Sequence, residues 1–216
     1  MTNSSKGKII VSTLKDNAGL SRSEICIPVG EPVRCLLRPV ATHPNLLNQN
    51  DISNLTVWRN RFVNSFLTEF TATEQRTANW LTEVVRYNES KILFMLDDLQ
   101  GTSFGYMGLD FIDWNNRYGE ADAIVRGGDA THGTMKIALQ TLINWSQNYL
   151  GLLDIGVRVR SDNTALKFYQ KAGFHELHRI PLERNHQLSI TNWIENKSIT
   201  GTISLVHMRY RKLVTD

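Results

Sequence analysis

Two cysteines, Cys26 and Cys35, are all that the 216 residues contain, and their spacing matches no zinc or redox motif. They read as passive thiols in a reducing compartment. No stretch approaches the roughly 18 apolar residues of a membrane span. The start of the chain also lacks the basic residues, apolar run and small-residue cleavage site of a signal peptide. A soluble, cytoplasmic protein without a membrane partner is expected. Charge of one sign is scarce as well: 24 Lys and Arg face 21 Asp and Glu, a net +3. The basic residues are dispersed rather than gathered into a stripe and aromatics are not interleaved with them, which argues against a nucleic-acid partner. The short cluster Arg209, Arg211 and Lys212 reads as a solvated strand end. His43, His175 and His178 show no ligand-like spacing, so no metal is assigned. Internal repeats and low-complexity tracts are absent.

What is present is an ordinary globular composition, 41% apolar and 21% charged, in a chain long enough for one sizeable core. Residues 1–30 show no steady period and form an N-terminal extension, in which Lys8 to Thr13 and Glu24 to Val29 are each an edge strand or an ordered arm. Residues 31–216 form a single domain. Val33 to Arg38 reads as a strand ending at Pro39. Asp51 caps a helix carrying Ile52, Leu55, Trp58, Phe62 and Phe66, and a Thr71/Glu74 capping box opens a second one that buries Trp80, Leu81, Val84 and Val85. A meander follows, with strands Lys91 to Leu96, Ser103 to Ile112 and Tyr118 to Val125. A long helix through Met135, Leu139 and Leu142 ends at Gly151, Asp154 to Val159 is a strand, and a short helix closes at Gly173. Phe174 to Ile180 and Ile203 to Met208 are further strands, and Leu182 to Thr200 stays unassigned. The fold class is α+β, a mixed α/β sheet.

Two segments carry the chemistry. Val125-Arg126-Gly127-Gly128-Asp129-Ala130-Thr131-His132-Gly133-Thr134-Met135 joins a strand to a helix. The unpaired N–H groups of a first helical turn, with the positive end of its dipole, suit a pyrophosphate, and Arg126 adds charge. Such turns also serve purely steric ends. In the second segment, Val159-Arg160-Ser161-Asp162-Asn163-Thr164-Ala165-Leu166-Lys167-Phe168-Tyr169-Gln170-Lys171-Ala172-Gly173-Phe174, a strand leads to Asn163, a short helix with Phe168 and Tyr169, and a closing Gly-Phe. This resembles the coenzyme A-binding signature of the GNAT N-acetyltransferase superfamily, and the resemblance covers Val33 to Ile180.

The resemblance implies a largely antiparallel central sheet with flanking helices and a splayed strand pair, Tyr118 to Val125 and Asp154 to Val159. Acetyl-CoA, the acyl donor, lies in that gap. Ile124, Val125, Arg126, Thr131, His132, Gly133, Thr134, Met135, Asn163 and Phe168 are the implied cofactor contacts. The family's pyrophosphate loop departs here, because Asp129 stands where a glycine is usual; the backbone donors remain. Asn163 either contacts the cofactor or caps the helix.

Transfer to a primary amine requires a proton acceptor, because an alkyl amine with a pKa near ~10.4 is protonated at neutral pH. Glu120 and Asp122 share one face of the strand that borders the acyl group and are the candidate bases, with Glu120 preferred for reach and a solvated strand face as the alternative. Tyr169 matches the family's acid position and is the candidate donor to the leaving thiolate, or else one more core aromatic. Arg59 and Trp114 are candidate substrate contacts, Arg59 for an anion and Trp114, with Trp193, for stacking. Trp58-Arg59-Asn60 resembles a turn in branches that acetylate amino-sugar nucleotides or protein N-termini. The partner is therefore a small-molecule amine, on an amino-sugar or sugar nucleotide. A peptide N-terminal acetyltransferase and a non-catalytic binding module are the alternatives, in a monomer or homodimer.

Overall fold

The computed structural model describes residues 3–20 and 25–211. Glu24 and Lys212, named above, lie outside the described residues. Helix α1 (Asn3–Asn17) precedes strands β1 (Ile27–Val29) and β2 (Cys35–Pro39), followed by helix α2 (Gln49–Arg61), β3 (Thr68–Glu69) and α3 (Glu74–Asn79), which widens into a π turn over Trp80–Val85. The meander is β4 (Ile92–Asp97), β5 (Ser103–Asp113) and β6 (Tyr118–Arg126). Helix α4 (Thr134–Trp145), β7 (Asp154–Arg160), α5 (Ala165–Ala172), β8 (Phe174–Gln187), β9 (Ile190–Glu195) and β10 (Ser204–Tyr210) complete the fold. The ten strands form one mixed α/β sheet in the order β1-β2-β4-β5-β6-β7-β10-β8-β9-β3. Every pairing is antiparallel except that between β6 and β7.

Each face of the sheet carries a core. Phe94, Leu139, Leu142, Ile143, Val157, Tyr169 and Phe174 pack under α1, α4 and α5 on one side. Ile52, Leu55, Trp58, Leu81, Val85, Met95 and Tyr106 pack under α2 and α3 on the other. Gly151 and Gly173 end their helices in the left-handed conformation, φ 75° and 105°, as their sequence positions predict.

Four local expectations are corrected. Lys8 to Thr13 is helical, within α1. The buried stripe of this helix is Gly7, Val11, Lys15 and Ala18, and two of these are not apolar, so no hydrophobic period was visible. Gly7 admits the Trp114 ring, and the Lys15 ammonium donates to the carbonyls of Val85, Arg86 and Asn88 at 3.1, 3.0 and 2.9 Å, closing the end of the α3 π turn. The cap of α2 is Asn48, not Asp51; Asp51 is buried and holds Arg38 bidentately at 2.8 and 2.9 Å. The cap of α3 is Thr73 rather than Thr71. Leu182 to Thr200, unassigned in the sequence, contains most of the β8–β9 hairpin. Cys26 and Cys35 form no disulfide among the described residues, and burial, aided by Asp97, pushes the Cys35 thiol up to about 11.

The decisive feature for function is where β6 and β7 part. Their parallel ladder covers only Tyr118↔Asp154, Gly119↔Ile155 and Glu120↔Gly156. Beyond it β6 stays with β5 and β7 with β10, leaving a wedge. Within the wedge, β6 bulges opposite Met107, with Ala123 at φ 52°, a region costly for a side chain with a Cβ. The bulge breaks the simple alternation expected for this strand: Ala121 packs with the α4/α5 core, whereas Ala123 and Val125 pack with the α2/α3 core and Ile124 with the opposite one.

Candidate active site

Around the wedge the two carboxylates of β6 have different fates. Glu120 is buried at the last paired rung, takes Arg158 Nε at 2.6 Å and accepts the Tyr118 hydroxyl at 2.9 Å. Asp122, one step into the wedge, has a side chain 43% exposed and, among the described residues, one ionic partner, Lys91 at 3.2 Å, which also holds Asp110. Asp122 therefore keeps accessible oxygen, and Glu120 does not.

Tyr169 reaches the wedge from α5 and is buried, edge-on to Phe168 at 5.4 Å and to Phe174 at 5.9 Å. Burial, and then the charge of Asp122, push its hydroxyl well above the usual phenol range, so it stays protonated at neutral pH. The same two causes act on Tyr106, partly offset by Arg59. Asp122 thus sits within electrostatic reach of tyrosines from both faces of the sheet.

The turn from β6 into α4 opens beside the wedge. Gly127 and Gly128 donate to the Phe104 carbonyl at 2.9 and 2.8 Å, and a side chain at Gly127 would strike the Trp58 ring. Arg61 also holds the Gly127 carbonyl at 2.5 Å. This first half of the loop is thus fastened to α2. The second half is open: Thr131, His132 and Gly133 are exposed, and Gly133, at φ 85°, has nothing within 4 Å of its missing side chain. Thr134 is buried as α4 begins, and Met135 packs against the core. Arg126 is exposed at the strand end. An open first turn with a left-handed glycine fits a pyrophosphate. Ile124 and Val125 line the unpaired stretch of β6. Asn163, one residue before the Thr164 cap position of α5, accepts from Ala165 N at 2.9 Å and also donates to the Ser65 carbonyl at 3.3 Å. Phe168 is part-buried beside it.

Of the candidate substrate contacts, the structure keeps one near the wedge. Arg59 lies half-buried over Phe66 and Phe70, 4.6 and 3.9 Å from their centroids, and donates to the Thr68 carbonyl at 2.8 Å. Trp114 is placed elsewhere: it is 7% exposed at the β5–β6 turn, packed on Gly7, with its indole N–H on the Glu89 carbonyl at 3.3 Å. That is the opposite end of β6, so Trp114 serves the core. Trp193 stacks on Arg160 at 4.3 Å and donates to Glu69 at 2.6 Å. Among the described residues no group of His, Cys, Asp or Glu could hold a metal.

Sequence reasoning missed the clasp that closes the wedge. Arg160, 5% exposed at the end of β7, pairs with Glu69 at 2.7 Å and Asp162 at 2.8 Å. It joins the loop before α3, the entry to α5 and, through Trp193, the β8–β9 hairpin. Nothing local in the sequence links residues 69, 160 and 193.

Comparison with known proteins agrees with this geometry. The family model for the acetyltransferase (GNAT) domain matches residues 34–175. The chain belongs to the GNAT acetyltransferase family. This GNAT enzyme resembles the solved spermidine N-acetyltransferase of Vibrio cholerae in complex with CoA and spermine (TM-score 0.61, 17% identity, 76% of this chain and 90% of that one). It also resembles FdhC, a nucleotide-linked sugar GNAT (TM-score 0.59, 14% identity, 83% and 87%). At these identities the likeness is one of fold. No curated protein sequence matches the chain. The α+β sheet with its splayed pair is thus the GNAT fold, and acetyl-CoA is the acyl donor of the family. The β8–β9 hairpin lies beyond the matched residues. No helix among the described residues is long and apolar enough to cross a membrane.

Proposed function

We propose that this enzyme moves an acetyl group from acetyl-CoA to a primary amine in the wedge between β6 and β7, with Asp122 as proton acceptor and Tyr169 as donor. The observation that carries the reading is the wedge itself, flanked by an accessible carboxylate and a protonated phenol. Acetyl-CoA supplies an activated carbonyl carbon and a thiolate leaving group. Ile124 and Val125 border the acyl arm, and the turn Thr131 to Met135, with Arg126, holds the pyrophosphate. Asn163 and Phe168 shape the far wall. Asp122 takes the proton of the ammonium, directly or through water, leaving a lone pair for the C–N bond. Tyr169 donates its hydroxyl hydrogen to the departing sulfur. Because burial raises the phenol, this is a hydrogen bond to the developing thiolate, and the proton passes to sulfur only as the second proton of the attacking nitrogen, shed as the amide forms, returns to the Tyr169 oxygen through water, so that CoA leaves as the thiol and the phenol is restored. Glu120, tied to Arg158, positions β6 rather than accepting the proton.

The amine belongs to an amino-sugar, with or without a nucleotide, and 31–216 is the acyltransferase domain, to which α1 adds a strut. FdhC, a nucleotide-linked sugar GNAT, supports the acceptor class at the level of fold. Thiol release from acetyl-CoA across a panel of amino-sugars, peptides and polyamines tests the reading. Release with peptides alone sinks the amino-sugar acceptor, and tight binding of acetyl-CoA without release from any amine sinks catalysis.

A further inference from the structure

Most of the withdrawn arginines among the described residues meet a carboxylate. Arg38 is held by Asp51 and Asp97, Arg158 by Glu120, Arg160 by Glu69 and Asp162, and Arg209 by Asp154. Each of these guanidinium groups thus has its counter-charge, as burial requires. Arg86, Arg117 and Arg59 are half-buried with no carboxylate partner among the described residues, and of these three only Arg59 also has a buried nitrogen, Nη1, with no hydrogen bond. Arg209 also has one unpaired nitrogen, Nε, but its Nη1 meets Asp154 at 2.8 Å, so its charge is answered.

The surroundings of Arg59 sharpen the anomaly. Among the described residues its polar partner is the Thr68 carbonyl, and its flat face rests on Phe66 and Phe70. Arg76 lies against the same Phe70 ring, 3.6 Å from the centroid, so a second guanidinium adds like charge. Burial, together with Arg76, lowers the Arg59 pKa, the mark of a cation without enough counter-charge. The position is also the right one. Trp58, the preceding residue, stacks on Tyr106 and covers Gly127 at the wedge end of β6. Asn60, the following one, pins Ala72 through both backbone groups at 2.7 and 3.0 Å. Arg59 is thereby fixed in the last turn of α2, just before the loop whose Ser65 and Phe66 carbonyls accept from Asn163 and Arg160.

We propose that Arg59 is an anion-binding subsite for the acceptor, and that the amine this enzyme acetylates carries a phosphate or carboxylate. An oxyanion completes the unpaired Nη1 and neutralises the Arg59/Arg76 pair. A polyamine would bring further positive charge to the same place, so spermidine is a poor acceptor here. The proposal rests on the acetyl-transfer reading but is tested apart from it.

Thiol release is measured with glucosamine, glucosamine 6-phosphate, glutamate and spermidine, and each acceptor is also titrated calorimetrically into protein held with CoA. Glucosamine 6-phosphate should exceed glucosamine in kcat/KM and in affinity by about 10- to 100-fold, the worth of one or two charge-assisted hydrogen bonds. Glutamate tells whether a carboxylate serves as well as a phosphate. Arg59→Gln should remove that advantage by raising the acceptor KM, with the KM for acetyl-CoA unchanged, and Arg59→Lys should retain part of it. Arg76→Gln, at an exposed position, should lower it by a smaller factor and decides the matter if Arg59→Gln does not fold. A preference for spermidine, a ratio near one, or a ratio that survives Arg59→Gln overturns the subsite. No thiol release with any acceptor, alongside calorimetric binding of glucosamine 6-phosphate that Arg59→Gln abolishes, would instead sink the transfer reading and leave the anion site standing.

Discussion

Glu120 and Asp122 are two residues apart on one strand, yet the structure gives them different surroundings. Glu120 stands on the last rung where β6 and β7 still pair, so its neighbours are fixed, and Arg158 and Tyr118 occupy both oxygens. Asp122 stands where the ladder has ended, and among the described residues Lys91 alone pairs with it. Residue type does not distinguish them; the end of the backbone ladder does. A strand pair that stops pairing creates, within two residues, both a buried ion pair and an accessible carboxylate.

The contrast is broken most severely by removing what faces Asp122 across the wedge. Tyr169→Phe should lower kcat by roughly 10²-fold, the usual worth of a positioned proton donor, with the KM for acetyl-CoA little changed. Steady-state thiol release measures both. A kcat within twofold of wild type would return Tyr169 to the core. Next comes Asp122→Asn, which should cost roughly 10- to 100-fold in kcat at pH 7. Its deficit should shrink as pH rises toward the amine pKa near ~10.4, because the free amine then forms without help. A deficit constant with pH would mean that Asp122 positions substrate instead.

Glu120→Gln sharpens the comparison from the other side. It leaves Arg158 without its counter-charge while keeping the Tyr118 hydrogen bond, so about 1–3 kcal/mol of stability should be lost, with kcat changed by only a few-fold. Urea unfolding and thiol release on the same sample separate the two effects. Loss of activity as deep as that of Asp122→Asn, without loss of stability, would exchange their roles.

Much of this was legible beforehand. The order of most strands and helices follows from periodicity, and the short helix closed by Gly173 from the run Asn163 to Phe174. What stayed hidden depends on contacts between distant residues. The buried stripe of α1 includes Gly7 and Lys15, which carry no hydrophobic signal. The alternation of β6 predicts one face for Glu120 and Asp122 but not the rung at which β7 departs, nor the bulge at Ala123. Trp114 looked like a loop aromatic because its partner, Gly7, lies over a hundred residues earlier. Arg59 could be named from its neighbours Trp58 and Asn60, but its buried, unpartnered Nη1 depends on contacts that the sequence does not show.

That same difference, a closed cation beside an open one, yields the smallest effect. Arg160 is answered by Glu69 and Asp162, and Glu69 also accepts from Trp193. Burial alone would raise Glu69, but the hydrogen bonds from Trp193 and Arg160 hold it below the usual carboxylate range, and the Arg160 bond does the same for Asp162. Both pKa values are lower folded than unfolded. Their contribution is therefore present above the unfolded carboxylate values near ~4 and is lost as pH falls through the lower folded ones. Asp162 is well exposed, so the stake is below about 1 kcal/mol for each group. Its sign should be visible at the β8–β9 hairpin as a change in Trp193 fluorescence below pH ~4, taken as the difference between wild type and Trp193→Phe. Glu69→Gln should weaken that change and raise the acceptor KM, because the segment Phe66 to Phe70, on which Arg59 rests, is then held by fewer contacts. A Trp193 signal that stays flat until the whole protein unfolds would mean that packing, not the Arg160 clasp, holds the hairpin over the wedge.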